Sequence, residues 1–378
     1  MKLFFLIAIS SLLAFTSKKD PLSKQIDSFV KKEMKELGIP GMAVTVIKDG
    51  KILHQGTYGI ANSEWNLPVS GNTAFQIASV TKLFTSTLVM KMIQEQKIKL
   101  EDPVSKFFPD APASWKTIRV DHLLSHQSGI PWPASIGGFL GTKPSTSDKA
   151  ASKEQIYKDM TDSALTFQPG TKESYINGDA FVLQMIIEKI YGKKITEIFE
   201  QELFAPLKMS HSGFDDETRN FPAQVMRSVK NKTQLFTKGK TEPLIYKTFY
   251  NPASYCSGGL YMSPADATKW AIALDKGEFL DPGIIAQLKT KMPLNGSFTA
   301  LGWNYENMNG HAAYGHSGGP GLGDILRFPD EKLTIIVFSN YADMYPYMAA
   351  SIARFYFPDI QLPDLPKKAL DRGYDKLY

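Results

Sequence analysis

Ser79 and Lys82 open a stretch, Ser79 to Ile93, that contains neither Pro nor Gly and is apolar on nearly every side. All-round apolarity predicts a buried helix rather than one lying on a surface. Positions i and i+3 share a helix face, so the Ser79 hydroxyl and the Lys82 ammonium fall side by side. Lys91 lies near the polar end, Gln94-Glu95-Gln96-Lys97, and can reach water, whereas Lys82 sits in the first turn. An ammonium is costly to bury there without a partner. Burial depresses the pKa of an amine and so leaves it unprotonated and free to accept a proton, and such an amine can activate a serine as a nucleophile. A helix N-terminus also offers unpaired backbone N–H groups and a positive dipole end, suited to a developing oxyanion. Ser-x-x-Lys occurs by chance in many chains, usually with a solvated Lys. Its place at the mouth of an apolar helix is what lifts it here.

Tyr175 follows Phe167-Gln-Pro-Gly170 and stands two residues before Asn177, where a helix is predicted to begin. A loop tyrosine of this kind is most often packing. As a functional group, its phenol can exchange a proton with Ser79, while Asn177 can bond a substrate amide or hold Lys82. Tyr314 to Gly321 ends a strand with glycines that let a ligand approach the backbone. It also spells Gly-x-Ser-x-Gly at Gly315, Ser317 and Gly319, the nucleophile elbow of α/β-hydrolases. That reading fails on chain order, because all six histidines precede Ser317. The segment after it, Gly-Gly-Pro-Gly-Leu-Gly, is not the helix an elbow requires. His122 and His126 have the spacing of a zinc pair, but no Glu lies between them and no third ligand is evident. A structural role is expected for both, with no metal and no cofactor.

The elements that must position these residues read as follows. Asp20 to Leu37 has helical spacing at Ile26, Phe29, Val30, Met34 and Leu37, stopped by Gly38 and Pro40. Gly41 to Ile47 and Lys51 to Tyr58 are strands flanking Asp49-Gly50, a hairpin signal. Thr73 to Ile77 is a short strand entering the Ser79 helix. Val120 to His126, Asn177 to Tyr191 and Ile195 to Leu203 are predicted helices, and Pro131 to Ser147 is a loop rich in Pro, Gly and Ser. Lys208 to Asn251 reads as an irregular polar surface excursion. Ser263-Pro264 caps a helix through Leu274. Strands are expected over Ala300 to Tyr305, His311 to His316, Gly323 to Phe328 and Leu333 to Phe338. A closing helix, Met344 to Phe355, follows. One sheet completed by the two ends of the chain, with a helical lobe inserted, is the expected arrangement. Its sheet region covers about 18–78 and 252–357, and its lobe about 79–251.

The 378 residues, 43% hydrophobic and 21% charged, have ordinary globular composition. The net charge of +5 is spread along the chain, without a Lys/Arg run that would suggest nucleic acid. The single cysteine, Cys256, excludes an intramolecular disulfide and a cysteine metal cluster. Residues 1–17 carry one Lys, an apolar run from Leu3 to Phe15 and small residues near Ser17. The run is too short for a membrane span and predicts a secretory signal. The domain then runs over 18–365, ahead of a polar tail at 366–378.

Taken together, these pieces resemble the serine β-lactamase and penicillin-binding protein superfamily, in its class C β-lactamase-like branch. The resemblance rests on Gly38-Ile-Pro-Gly41, Ser79-Val-Thr-Lys82, Leu123 to Gly129, Phe167 to Gly170 with Tyr175-Ile-Asn177, Pro206 to Met209, Ser257 to Leu260 and Gly315 to Gly319. It covers nearly the whole chain after residue 17. It implies an α/β (α+β) fold, a mainly antiparallel sheet flanked by helices with the inserted lobe. It also implies that Ser79 attacks an acyl carbonyl to form an acyl-enzyme, Lys82 and Tyr175 share the proton traffic, and either is the base. Asn177 would orient the substrate, along with His316, Ser317 and Gly318. Backbone N–H groups of Ser79 and Gly319 would form the oxyanion hole, and water, activated through Tyr175, would release the acid.

Family members that act on β-lactams often carry Lys-Thr-Gly where this chain has His316-Ser317-Gly318. A histidine, with a reference pKa near ~6.5, is expected to be only partly charged at neutral pH and so a weaker anchor for a substrate carboxylate. Relatives with His here include esterases, amidases and D-amino-acid peptidases. The expectation is therefore an exported, periplasmic or extracellular serine hydrolase cleaving an ester or amide in a small-molecule or peptide substrate. Its alternatives are a penicillin-binding sensor that is acylated without turnover, a protein that only binds peptide, and a true β-lactamase.

Overall fold

Asp49 and Gly50 have φ of +51° and +69°, the two left-handed residues that a type I′ hairpin requires. They join β1 (Gly41–Lys48) to β2 (Lys51–Asn62), which continues to the short β3 (Leu67–Pro68). β1 is buried along almost its whole length, as its unbroken Met42-Ala-Val-Thr-Val-Ile47 run demands of a strand covered on both faces. Its other neighbour comes from the far end of the chain. The strands β4 (Asn304–Met308), β5 (His311–Gly318), β6 (Gly323–Phe328) and β7 (Leu333–Ser339) form an antiparallel meander. β7 pairs with β1 from Met42↔Ser339 to Lys48↔Leu333, giving a seven-stranded order β4-β5-β6-β7-β1-β2-β3. The computed structural model describes residues 21–131, 152–220, 223–247, 250–290, 294, 296–319, 322–342, 344 and 347–362. The segment at 1–17, most of the 131–147 loop and the tail at 366–378 lie outside them.

Side chains on β1 alternate between two apolar layers. Met42, Val44 and Val46 pack with Ile26 and Val30 of α1 (Pro21–Leu37) and with Met348 and Ile352. Ala43 and Ile47 face the larger cluster, which includes Phe75 and Val80, ahead of α2 (Thr81–Gln94), and Phe84 in its first turn. Further helices of that layer are α3 (Asn177–Tyr191) and α4 (Pro264–Lys276). The Ser263 side chain accepts the Asp266 N–H, with Pro264 in the first turn of α4, and left-handed Gly277 ends it. The closing helix, α5, spans Met348–Ala353. No helix among the described residues is long and apolar enough to cross a membrane.

Several boundaries differ from the expectation. The helix foreseen to His126 stops at Leu124, because His126 itself is left-handed at φ +58°. The first sheet strand begins at Asn304, since the preceding segment turns at Gly302 with φ +78°. The closing helix is shorter than 344–355. The excursion from Lys208 to Asn251 is not irregular throughout. It contains Gly213–Phe214 beside Leu260–Met262, the hairpin Asp216–Asn220/Ala223–Arg227 and the hairpin Leu235–Thr237/Leu244–Tyr246. A run such as Asp216-Glu-Thr-Arg-Asn220 has no apolar alternation to betray it, and only backbone pairing defines it.

Candidate active site

Ser79 lies in the single 3-10 turn Ala78–Val80 that carries the chain from the short strand Phe75–Gln76 into α2. The α-helix proper begins at Thr81, so the hydroxyl sits just ahead of the helix rather than inside it. Ala78, buried, adopts φ +45°, a conformation unusual for a residue with a side chain and one that packing must enforce. Two contacts enforce it. The Ile77 N–H donates to the Leu260 carbonyl at 3.1 Å, and β5 crosses so closely that a Cβ on Gly318 would lie 2.1 Å from the Ile77 oxygen. Gly318 is therefore demanded by close approach.

α2 is buried from Thr81 to Met90, and its polar side chains are satisfied by neighbouring elements. Thr85 donates to the Cys256 carbonyl at 2.9 Å, and Ser86 to the Leu301 carbonyl at 2.6 Å. Trp270 and Trp303 donate to Thr87 and Ser86 at 3.1 and 2.9 Å. Lys82 thus springs from a rigid base. Its Nζ, with the residue 7% exposed, donates at 2.8 Å to Asn177 Oδ1 and at 2.8 Å to the Ser257 carbonyl, and stands 3.4 Å from Ser79 Oγ. It also lies 4.9 Å from the centre of the Tyr175 ring. The Tyr175 hydroxyl donates to Ser79 Oγ at 2.9 Å, a shorter contact than that of the ammonium.

The phenol is supported by a group of rings. His126 and Phe298 lie 4.5 and 5.9 Å from the Tyr175 ring centre, Phe298 nearly parallel to it at 20°. His316 is 5.9 Å away. Beneath His126, its Nδ1 is 3.0 Å from Asp179 Oδ2, and the Ser128 hydroxyl donates to Asp179 Oδ1. Burial drives the Asp179 carboxyl well above the carboxylate range, while burial and the Lys82 charge hold His126 down to about 3. Burial thus disfavours both the imidazolium and the carboxylate of this pair.

The expectation for the charge of His316 is not met. Burial, then the Lys82 charge, lowers its pKa to about 3. Nδ1–H donates to the Ser317 carbonyl at 2.7 Å, and Nε2 is buried without a partner. The ring is neutral across the physiological range and offers no cation to a carboxylate. Ser317 faces Asp324 across the β5–β6 pair, Oγ to Oδ1 at 3.0 Å, and the same carboxyl accepts the Ala349 N–H at 2.9 Å. Burial raises Asp324 to about 7. Gly319 is the first residue past β5, and a Cβ there would meet nothing within 4 Å.

Of the residues singled out by sequence, Ser79, Lys82, Tyr175 and Asn177 meet in direct contact, with His316 and Gly318 against them. His122 is apart, its Nδ1 accepting the Arg119 N–H at 3.3 Å. Among the described residues, no three His, Cys, Asp or Glu side chains converge as a metal site. Sequence reasoning missed Asp179, Phe298 and the Ser257 carbonyl as parts of the site. Asp179 had a signal, an acid in the first turn of α3 directly before the apolar run Ala180 to Leu183. Phe298 had none.

The Beta-lactamase family model matches residues 26–354. The chain is 28% identical over 279 residues to the teichoic acid D-alanine hydrolase of Staphylococcus aureus (strain MRSA252), covering 73% of this chain and 63% of that protein. It thus spans less than two thirds of that relative's length. It is 27% identical over 370 residues to the N-acetylmuramyl-L-alanine amidase of Bacillus subtilis (strain 168), covering 86% and 82%. Among solved structures, the octameric penicillin-binding protein homologue from Pyrococcus abyssi superposes with a TM-score of 0.73 at 26% identity, over 94% of this chain and 80% of that one. The D-amino acid amidase from Ochrobactrum anthropi SV3 superposes with a TM-score of 0.69 over 85% and 92%, and at 22% identity it speaks for the fold alone. With one model running from the first helix past the last strand, and the Ser79, Tyr175 and His316 motifs inside it, the chain belongs to the Beta-lactamase family.

Proposed function

We propose that this chain is an exported serine hydrolase that cleaves an ester or amide through an acyl-serine at Ser79. The observation that carries the reading is the contact of one hydroxyl with both a phenol and a buried ammonium, at 2.9 and 3.4 Å. In this reading the reacting form carries Tyr175 as the phenolate, and Ser79 Oγ attacks the carbonyl carbon as its proton passes to that oxygen, its nearer partner. Lys82 supplies the adjacent positive charge, and Asn177 fixes Lys82 and orients the substrate. The N–H groups of Ser79 and Gly319 bind the oxyanion. The intermediate collapses, Tyr175 returns the proton to the departing oxygen or nitrogen, and the acyl group stays on Ser79. Water then attacks the ester, giving up its proton through Tyr175, and Ser79 is regenerated as the acid leaves.

For the substrate class we propose an alanyl-type ester or amide. Support comes from the relatives named for teichoic acid D-alanine and for N-acetylmuramyl-L-alanine. A neutral His316 where many β-lactam-active members have Lys argues against a fixed carboxylate anchor, and hence for weak β-lactam turnover. Export is supported by the charged, apolar and small-residue pattern of residues 1–17. The test is intact-mass spectrometry during incubation with p-nitrophenyl acetate, a D-alanyl ester and a penicillin. Rapid product release from the esters without a lasting adduct is expected. A persistent adduct on every compound would replace the hydrolase with an acylated sensor, and neither product nor adduct would leave only a binding protein.

A further inference from the structure

Glu173 stands two residues before Tyr175, and its carboxylate reaches the segment that precedes β4. Oε1 accepts the Ser297 N–H at 2.9 Å and Oε2 accepts the Phe298 N–H at 3.2 Å. The turn wraps the carboxylate closely, for a Cβ on Gly296 would lie 2.0 Å from Oε2. On its far side the turn is tied to β4, where the Tyr305 N–H donates to the Ser297 carbonyl at 2.7 Å. Phe298, held by this clamp, lies 5.9 Å from and nearly parallel to the Tyr175 ring, and meets His126 edge-on at 4.8 Å. Tyr175 is 46% exposed, whereas Phe298 is 8% exposed, so Phe298 is one of the few walls the phenol has.

We propose that Glu173 is a positioning residue for acyl transfer: it clamps the Gly296–Phe298 turn so that the Phe298 ring holds the Tyr175 phenol on Ser79. The inference rests on the reading of Ser79 as nucleophile and Tyr175 as its proton partner. Two charge-assisted hydrogen bonds from one carboxylate fix the turn more firmly than neutral ones would. Removing them leaves two backbone N–H groups without that acceptor and frees Phe298 to move. The phenol then samples positions off its 2.9 Å contact. A displacement of reacting groups on the order of an ångström costs up to about 10²-fold in rate. Because Glu173 acts through Phe298 on Tyr175, its effect belongs to kcat and not to KM. It also disappears once Phe298 has been removed.

The test uses the full chain and p-nitrophenyl acetate. Glu173→Ala and Phe298→Ala are each expected to lower kcat by roughly 10-fold with KM within about 2-fold. The double variant should be no slower than the slower single one. Glu173→Gln keeps one carbonyl oxygen for the two N–H groups, and should fall between wild type and Glu173→Ala with a Tm close to wild type. The proposal is overturned by a wild-type kcat in Glu173→Ala, by losses that multiply in the double variant, or by a loss confined to KM. It is equally overturned if Glu173→Gln loses activity only in proportion to its folded fraction. Ser79→Ala, measured alongside, separates the two levels. Retained turnover there defeats the nucleophile assignment, whereas a dead Ser79→Ala with an indifferent Glu173→Ala defeats the clamp alone.

Discussion

At the scale of single residues, Ser79 has two partners of unequal closeness, and their difference is testable. Tyr175, at 2.9 Å, is the group through which the proton must pass in the mechanism above. Tyr175→Phe keeps the ring stack but removes the hydroxyl, and should lower kcat by roughly 10²-fold or more, the scale of an acid–base group. Equal kcat in ester hydrolysis would remove Tyr175 from the mechanism. His316 makes a different prediction. Its pKa, about 3 in the folded protein against an ordinary 6.5, means that the unfolded chain takes up the proton first as pH falls. The stability that depends on the neutral ring is whole above about pH 6.5 and drains away toward pH 3. His316→Gln should flatten that slope in urea midpoints measured at several pH values. For the same reason, esters with and without a carboxylate should show parallel pH–rate profiles between about pH 6 and 8. A carboxylate-specific loss across that range would mean that the histidine carries a charge after all.

At the scale of elements, the turn Ala78–Val80 is held by the strand that crosses it. Gly318→Ala would place a methyl 2.1 Å from the Ile77 carbonyl, so β5 or the nucleophile turn must move. A kcat loss of at least about 10²-fold is expected, since misplacement by an ångström suffices. Unchanged kinetics would show that the close approach is unimportant. Behind β5, Asp324 joins Ser317 to the start of α5, with Glu306 adding to its repulsive surroundings. Its pKa is raised to about 7, so its contribution to stability is complete below about pH 4 and falls as pH rises toward 7. Asp324→Asn should therefore raise Tm at pH 8 and leave it unchanged at pH 4, as thermal scans at the two pH values would show. The apolar helix, the Asp49-Gly50 hairpin and the meander were legible in the sequence because each rests on local periodicity or turn chemistry. The charge of His316 was not legible, since Tyr175, Phe298 and Lys82 bury and bias it from three distant parts of the chain. Phe298 and Glu173 were hidden for the same reason: nothing near Phe298 announces that its backbone meets a carboxylate 125 positions earlier.

At the scale of the whole molecule, the first strand is completed by the last. β1 sits between β7 and β2, and the cluster on one face of the sheet continues through Phe75, Val80 and Phe84 into the helices that carry Lys82 and Asn177, with Tyr175 two residues ahead of the second. Phe338 of β7 belongs to that cluster, fully buried with its ring centre 6.0 Å from that of Phe75. Phe338→Ala should cost about 3–5 kcal/mol, the range for emptying a buried phenylalanine site. Because Phe75 leads straight into the Ser79 turn, urea curves followed by circular dichroism and by active-site labelling should shift together; separate transitions would mean that sheet and helices are not one cooperative core. Acyl transfer here depends on Ser79 being the activated hydroxyl, and covalent labelling asks this most directly. Treated with a fluorophosphonate and examined by intact mass and peptide mapping, the wild-type chain should gain one adduct, on the peptide bearing Ser79, and Ser79→Ala none. An adduct retained by Ser79→Ala, or mapped to any other residue, would contradict it.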